Sequence, residues 1–246
     1  MTALVQINNV NFSYGNVTVL EDVTLNIEKN KLLAIVGPNG GGKSTLLKLI
    51  LRLLNPDSGS ISYIDPVQTV ADIGYVPQVS HSDRSFPISV IDAVLLGLTG
   101  TRPYVNRFNK SDREQATESL KKVSMQDYSQ RQIGELSEGQ RQRVFVARAL
   151  VSNPKLILLD EPTASVDQRI QHSLYKLMAE LKQSISLVMV THDVGEITDY
   201  IDDIACLNQK LHHHINDTNK LDKDMSYYCA IGARIDKEKK GKCACC

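Results

Sequence analysis

Apolar and polar residues alternate along two early segments of the chain, Val5–Tyr14 and Thr24–Glu28. Alternation with a period of two is typical of strands that bury one face. Three later segments are short and continuously apolar: Leu32–Val36, Leu156–Leu159 and Leu187–Val190. Runs of this length indicate strands buried on both faces, as in a parallel sheet. The chain therefore contains the patterns of two different kinds of sheet.

Helical spacing of apolar residues occupies much of the remaining chain. The predicted helices are Ser44–Leu54, Pro87–Gly97, Ser111–Val123, Glu138–Ser152 and Gln168–Gln183. Two short strands, Ile61–Tyr63 and Ile73–Val76, precede the most helical stretch. Strands that alternate with helices predict an α/β fold with a mainly parallel core sheet.

The order of these elements predicts the domain organisation. The chain has 246 residues, enough for one large domain with subdomains. We predict a single domain over residues 4–217, with an antiparallel β subdomain at its N-terminus and a helical subdomain inserted at about 79–154. Residues 218–246 form a polar tail rich in lysine and cysteine, a composition that predicts a flexible segment.

Charge and hydrophobicity exclude some classes of function. The formal net charge is +0, which gives no electrostatic basis for nucleic-acid binding. No segment approaches the about 20 apolar residues that a membrane-spanning helix needs. The first residues lack the basic and then apolar pattern of a signal peptide. We therefore expect a chain on the cytoplasmic side that reaches a membrane only through partners.

A glycine-rich loop between the strand Leu32–Val36 and the next helix fits the pattern G-x-x-x-x-G-K-S. Glycines allow backbone N–H groups to surround phosphates, and the helix N-terminus adds partial positive charge at the same place. The lysine supplies a charge for the β- and γ-phosphates, and the serine supplies a hydroxyl to Mg²⁺. The predicted ATP-binding residues are Gly37, Pro38, Asn39, Gly40, Gly41, Gly42, Lys43, Ser44 and Thr45.

Two adjacent carboxylates, Asp160 and Glu161, end the apolar run Leu156–Leu159. The carboxyl end of a parallel strand lies beside the phosphate loop of a neighbouring strand. We predict that Asp160 holds Mg²⁺ together with Ser44. Glu161 is then the group that orients and polarises the attacking water.

A third motif, Leu136-Ser137-Glu138-Gly139-Gln140, lies between the phosphate loop and the acidic pair. Together the three motifs resemble those of the ATP-binding-cassette (ABC) ATPases, over roughly residues 4–210. The resemblance implies the phosphate-loop NTPase cassette fold, with ATP and Mg²⁺ as cofactors. It also implies further site residues. By resemblance, His192 contacts the γ-phosphate, Gln78 touches Mg²⁺ or water, Tyr14 stacks on adenine, and Asp167 lies at a dimer interface.

In this family the third motif completes the site of another subunit. Ser137 is predicted to cap a helix, and Gly139 permits close backbone approach. With Gln140 they would bind the γ-phosphate held by a second copy, so the resemblance implies a head-to-tail homodimer around two ATP molecules. Glu138 departs from the commoner glycine. Because a carboxylate would repel the phosphate, we expect its side chain to point away.

Three classes of ABC protein remain: transporter subunits, DNA-repair or chromosome proteins, and translation factors. The stretch between Lys43 and Ser137 lacks the long coiled coil of the second class, and one cassette rather than two argues against the third. The resemblance implies separate membrane permease subunits and no nucleic-acid partner. It also implies an extracytoplasmic substrate-binding protein, which is only an indirect partner of this chain. Segments 83–90 and 206–214 resemble zinc, manganese and iron importers, with siderophore or other chelate importers as the alternative.

Three consecutive histidines, His212-His213-His214, suggest a metal sensor together with Cys243, Cys245 and Cys246. Thiolates and imidazoles suit zinc. Consecutive side chains on a strand or turn cannot all face one ion, however. We therefore interpret the histidines as a polar surface segment and the cysteines as part of a solvated tail.

Overall fold

The computed structural model describes residues 3–78, 87–101, 108–163, 166–192 and 196–215. Some sequence predictions lie wholly or partly outside this range. They include the tail 218–246, the first half of the importer-like segment 83–90 and parts of the predicted helical subdomain at about 79–154.

Nine strands lie within the described residues. They are β1 (Ala3–Tyr14), β2 (Val17–Glu28), β3 (Leu32–Val36), β4 (Ser58–Tyr63), β5 (Ile73–Val76), β6 (Leu156–Asp160), β7 (Ser186–Thr191), β8 (Asp203–Asn208) and β9 (Lys210–Ile215). The strands β2, β1 and β4 form an antiparallel sheet in that order. The other six form a second sheet in the order β5-β6-β7-β3-β8-β9, which is parallel except for β9.

Five α-helices accompany the strands in the described part of the chain. They are α1 (Lys43–Ile50), α2 (Val90–Leu95), α3 (Lys110–Lys122), α4 (Glu138–Leu150) and α5 (Gln168–Leu181). Helices α2, α3 and α4 fall between β5 and β6, in the stretch predicted to be helical. The exact limits of a helical subdomain at 79–154 stay a prediction. The predicted α/β fold, with its antiparallel N-terminal sheet and mainly parallel core sheet, is confirmed.

Four predicted helices are too long. Helices α4 and α5 end at Leu150 and Leu181, shortly before the predicted Ser152 and Gln183, and α1 and α2 differ more. Helix α1 was expected to reach Leu54 but ends at Ile50, because Arg52 has a left-handed backbone with φ of 54°. The second helix was expected to begin at Pro87. It begins at Val90, after Ser89, whose hydroxyl accepts a hydrogen bond from the Asp92 N–H and so caps the helix.

The core sheet is buried on both faces, which explains its unbroken apolar runs. On one face, Leu33 and Ile35 of β3 join a cluster that contains α1 and the antiparallel sheet. On the opposite face, Ala34 and Val36 join a cluster that contains helices α2 to α5. This three-layer packing follows from the alternation of side chains along a strand. No helix in the described part of the chain is both long and apolar enough to cross a bilayer.

Candidate active site

The phosphate loop joins the end of β3 to the start of α1, as predicted. Gly42 caps α1 with φ of 94°, a left-handed conformation that strains any residue with a Cβ atom. A Cβ there would also lie 2.7 Å from Leu20 Cδ2. The Leu46 N–H donates to the Gly42 carbonyl over 2.8 Å, so α1 begins directly at the loop. The first-turn N–H groups of α1 therefore face the space in front of the loop.

Gly37, at the start of the loop, lies against the neighbouring strand β8. A Cβ at this position would lie 1.9 Å from the Leu207 carbonyl oxygen. The turn after β8 also touches the loop, because the Gln209 N–H donates to the Gly41 carbonyl over 3.2 Å. The Gln209 carbonyl in turn accepts from the Glu21 N–H over 2.9 Å. The loop is thus supported by backbone contacts from distant parts of the chain.

The Lys43 ammonium group folds back over the loop. It donates hydrogen bonds to the carbonyls of Gly37 and Pro38, each over 2.9 Å. Burial lowers the pKa of Lys43, and the negative charges of Glu161 and Asp160 partly oppose that shift. A buried cation that holds only neutral carbonyls is well suited to exchange them for a phosphate.

Asp160, at the end of β6, faces the first turn of α1. The Ser44 hydroxyl donates to Asp160 Oδ1 over 3.1 Å, and the Tyr75 hydroxyl donates to Oδ2 over 3.4 Å. Burial is the main cause that raises the pKa of Asp160, and the nearby Glu161 charge adds to it. Burial and the Asp160 charge raise the pKa of Tyr75 to about 12. Tyr75 therefore remains a hydroxyl donor at neutral pH.

Glu161 connects two of the other predicted site residues. The Gln78 side-chain amide donates to Glu161 Oε2 over 3.0 Å, and His192 Nδ1 lies 3.4 Å from Oε1. Glu161 has φ of 46°, which is uncommon for a residue with a side chain. Its N–H donates to the Val190 carbonyl over 3.0 Å, and this bond helps to hold the strained backbone. The geometry brings the predicted base together with Gln78 and His192.

A cavity of about 480 Å³ lies in front of the phosphate loop. Its lining residues are Tyr14, Val19, Asn39, Gly40, Gly42, Lys43, Ser44, Thr45, Gln78 and Glu161. Tyr14 is at the end of β1, 48% exposed, and packs edge-on against Phe12 with ring centroids 4.9 Å apart. The cavity therefore has the Tyr14 ring at one side and the Lys43 ammonium group at the other, beside side chains with oxygen atoms.

The start of α4 is not part of this lining. Ser137 is the N-cap of α4, and its hydroxyl accepts from the Gln140 N–H over 3.3 Å. The Gln140 side chain accepts in return from the Ser137 N–H over 3.0 Å, which completes a capping box. A Cβ at Gly139 would lie 2.6 Å from Ile170 Cγ2, so only glycine fits without a shift of the Ile170 side chain.

Glu138, the departure from the usual motif, pairs with Arg141 one turn further along α4. Whether its carboxylate also points away from a phosphate on a second copy stays a prediction. Asp167 caps α5, because its carboxylate accepts from the Ile170 N–H over 3.0 Å. That contact is the capping role foreseen as the alternative for Asp167, and its place at a dimer interface stays a prediction.

Three residues at the site were missed by sequence reasoning: Val19, Tyr75 and Gln209. Val19 lies in the first part of β2, which was not predicted because exposed Glu21 and Asp22 interrupt the alternation. Tyr75 lies on β5, and its strand position alone does not show that β6 places Asp160 beside it. Gln209 follows β8, and neither β8 nor β9 was predicted. The apolar run Ile204–Leu207 was the available signal.

The histidines near the end of the described chain lie on β9, which pairs with β8 in the register Cys206 to His212 and Ala205 to His213. Both His212 and His213 are exposed. No group of three or more His, Cys, Asp or Glu side chains within the described residues is arranged to hold a metal ion. The predicted cysteine tail lies outside the described residues.

The family model described as ABC transporter matches residues 20–164, which include the phosphate loop, the start of α4 and the acidic pair. The chain is an ATP-binding cassette of the ABC transporter family. Cassettes of this family are ATPases, so the protein binds and hydrolyses ATP. The resemblance drawn from the motifs is confirmed.

Two curated relatives align over most of the cassette. The zinc uptake system ATP-binding protein ZurA of Listeria innocua is 40% identical over 218 residues, covering 86% of this chain and 85% of the relative. The manganese transport system ATP-binding protein MntB of Bacillus subtilis is 44% identical over 207 residues, covering 83% of each.

Solved structures share the fold of the cassette. One is an inward-facing ABC transporter described as of metal-chelate type, with a TM-score of 0.82, 29% identity and coverage of 94% of this chain and 90% of the other. A bacterial ABC transporter cassette solved as a dimer has a TM-score of 0.70 and 28% identity, covering 86% of this chain and 98% of the other.

Proposed function

We propose that this cassette is the ATP-hydrolysing subunit of an importer for divalent metal ions such as zinc or manganese. The observation that carries the proposal is the 40% and 44% identity to a zinc uptake and a manganese transport ATPase subunit, over more than four fifths of each chain. Both relatives are transport proteins, which favours this function over the DNA-repair and translation classes.

The cavity supports a specific mode of ATP binding. Tyr14 would stack on the adenine at one side of the cavity. At the other side, Lys43 would leave the carbonyls of Gly37 and Pro38 and bind the β- and γ-phosphates. Backbone N–H groups of the loop and of the first turn of α1 would surround the same phosphates. Each of these groups lies in or beside the same cavity.

The oxygen donors beside Lys43 fit Mg²⁺. The Ser44 hydroxyl and the Asp160 carboxylate are 3.1 Å apart, and the carbonyl oxygen of the Gln78 amide is available at the cavity wall. Hard oxygen ligands of this kind are those that Mg²⁺ prefers. When bound, the ion would neutralise charge on the phosphates.

Glu161 is the proposed general base. Its carboxylate would accept a proton from the attacking water as the water oxygen bonds to the γ-phosphorus and the bond to the bridging oxygen breaks. The products are ADP and phosphate. His192, 3.4 Å from Glu161, would contact the γ-phosphate and help to position the water. Glu161 Oε2 would keep the Gln78 hydrogen bond on one lone pair and face the water with the other.

We propose that two copies assemble head to tail. The start of α4 contains a capped helix N-terminus that does not line the cavity of its own chain. Ser137, Gly139 and Gln140 would bind the γ-phosphate held by the second copy, and Asp167 would lie at the interface. A related cassette solved as a dimer supports the assembly of two copies.

The transport role requires separate partners. We propose that the dimer sits at the cytoplasmic face of the membrane and binds integral-membrane permease subunits. An extracytoplasmic binding protein would deliver the metal ion to those subunits, without contact with the cassette. A metal-chelate importer is a second candidate, because the structural neighbour with a TM-score of 0.82 is described as of that type.

The cargo can be tested in cells of the source organism. A chromosomal Glu161→Gln substitution should reduce cell-associated zinc or manganese, measured by plasma mass spectrometry after growth in metal-limited medium. Added zinc or manganese salts should restore growth. Unchanged ion contents together with lost growth on a chelate as sole metal source would favour the second candidate instead. Unchanged growth and metal content in all media would contradict both.

A matched control is Glu118→Gln, which removes an exposed carboxylate on α3 outside the cavity. Cells with this control substitution should accumulate metal like the parent strain.

A further inference from the structure

The first turn of α4 contains an ion pair that the family motif does not provide. The Arg141 Nη2 atom donates to Glu138 Oε2, and the two residues are three positions apart on the helix. The Arg141 side chain is only 4% exposed and that of Glu138 is 19% exposed. Pairs at this spacing meet on one side of a helix.

Glu138 occupies the place where the proposed dimer needs a positive potential. It follows the N-cap Ser137, and free N–H groups at a helix start carry partial positive charge. A carboxylate in the first turn interacts favourably with that charge, as a bound phosphate would. An uncompensated Glu138 would therefore compete with a phosphate for the same positive end.

Arg141 changes this balance because its charge is opposite and its position is fixed. The guanidinium is buried, and its Nε atom has no hydrogen-bond partner within the described part of the chain. A buried cation with incomplete hydrogen bonding depends strongly on the carboxylate that it contacts. Arg141 and Glu138 are thus mutually dependent.

We propose that Arg141 is a positioning residue that neutralises Glu138 and holds its carboxylate against α4, so that the helix N-terminus remains able to bind a phosphate on a second copy. This inference rests on the proposed head-to-tail dimer. If this is so, Arg141 is needed for dimerisation only while the Glu138 carboxylate is present, and removing the carboxylate should compensate for the loss of Arg141. A structural role for Arg141 alone would lack that dependence.

The test uses the full chain with Glu161→Gln as a hydrolysis-deficient parent, and sedimentation velocity at a series of ATP concentrations. Arg141→Met should raise the ATP concentration for half-maximal dimerisation by about three- to tenfold, because the carboxylate then loses the positive charge of Arg141 beside it. Affinity of the monomer for a fluorescent ATP analogue should change less than about twofold. The double variant Glu138→Gln with Arg141→Met should return dimerisation to within about twofold of the parent.

The control is Lys121→Met. Lys121 and Glu118 form a pair at the same spacing on α3, with side chains 55% and 63% exposed. Its loss should leave dimerisation unchanged. If Arg141→Met lacks a cooperative thermal transition, Arg141→Gln replaces it in the same comparison.

Equal ATP requirements in the single and double variants would overturn the inference, since Arg141 would then act without regard to Glu138. An unchanged requirement in Arg141→Met would overturn it as well. A parent that stays monomeric at every ATP concentration would contradict the proposed dimer, and this inference with it. If the parent dimerises and the variants at Arg141 and Glu138 dimerise at the same ATP concentration, only the inference about Arg141 is contradicted and the proposed dimer stands.

Discussion

The side-chain amide of Gln78 donates a hydrogen bond to the Glu161 carboxylate over 3.0 Å. Gln78 directly follows Pro77 after β5, whereas Glu161 directly follows β6, so the bond joins the ends of two neighbouring strands. Since His192 lies near the other carboxylate oxygen, both oxygens of the proposed base have a neighbour. A carboxylate oxygen has two lone pairs, so Glu161 Oε2 can accept the Gln78 hydrogen bond and still contact the attacking water.

Replacing Glu161 with glutamine should lower steady-state ATP hydrolysis by about 10²–10⁴-fold, the usual loss when a general base is removed. Phosphate release measures the rate, and equilibrium binding of a fluorescent ATP analogue should remain within about threefold of the wild type. Retention of more than about a tenth of the wild-type rate would exclude Glu161 from the role of base. Glu118→Gln is the matched exposed control.

Replacing Lys43 with alanine should weaken ATP binding by at least about tenfold, because the charge-assisted bonds to the phosphates are lost. Isothermal titration calorimetry with a non-hydrolysable ATP analogue measures this affinity directly. Lys48→Ala is the matched control, since Lys48 lies on the same helix and is exposed to solvent. Equal affinities of wild type and Lys43→Ala would contradict the assignment of the phosphate loop.

Replacing Asp160 with asparagine should stabilise the nucleotide-free protein at pH 7. Burial raises the pKa of Asp160, so the folded state binds this proton more tightly than the unfolded state does. Wild-type stability therefore falls as pH rises through the raised native pKa, and the cost of the buried charge is present above that pKa. Thermal denaturation above the native pKa should show a higher melting temperature for the variant than for the wild type.

The gain should shrink as the pH falls below the raised native pKa of Asp160, because protonation then removes the buried charge from the wild type as well. The same substitution should also reduce Mg²⁺-dependent ATP hydrolysis, because one oxygen ligand loses its charge. A variant that is less stable than the wild type at pH 7 would show that the bonds from Ser44 and Tyr75 outweigh the burial of the charge.

Replacing Gly37 with alanine should destabilise the fold by about 1–3 kcal/mol, the usual cost of inserting a methyl group into a packed region. The new Cβ would meet the Leu207 carbonyl, which belongs to a backbone that cannot easily move. Gly100→Ala is the control, because a Cβ at Gly100 has no heavy atom of the described residues within 4 Å. Chemical denaturation should give a lower midpoint for Gly37→Ala than for Gly100→Ala. Equal midpoints would mean that the backbone of β8 moves easily to accommodate the new methyl group.

Local features explain what the sequence alone could predict. The phosphate loop, the acidic pair after β6 and the Ser137 cap each depend on residues close together in the chain. The contacts of Tyr75 with Asp160 and of Gln209 with Gly41 depend on which strands become neighbours. Strand order cannot be predicted from the residues of a single segment. Helix ends were less predictable, since the conformation of Arg52 stops α1 within an apolar stretch.

The pair of Glu138 and Arg141 is a different case. Its spacing of three residues on a predicted helix was visible in the sequence, and such pairs are expected to meet. The burial of Arg141 was not visible, because it depends on packing around α4. Sequence reasoning identified Glu138 as the irregular residue, and the structure supplied the charge that accompanies it.

The support of the phosphate loop by β8 and Gln209 has a consequence for synthesis on the ribosome. Strand β3 pairs with β7 on one side and with β8 on the other, and both neighbours are made long after it. At about 5–20 residues per second, the loop emerges roughly 10 to 30 s before Gln209 does. We expect a nascent chain to bind no nucleotide during that interval, so that ATP is captured only by chains whose translation has passed the last strands.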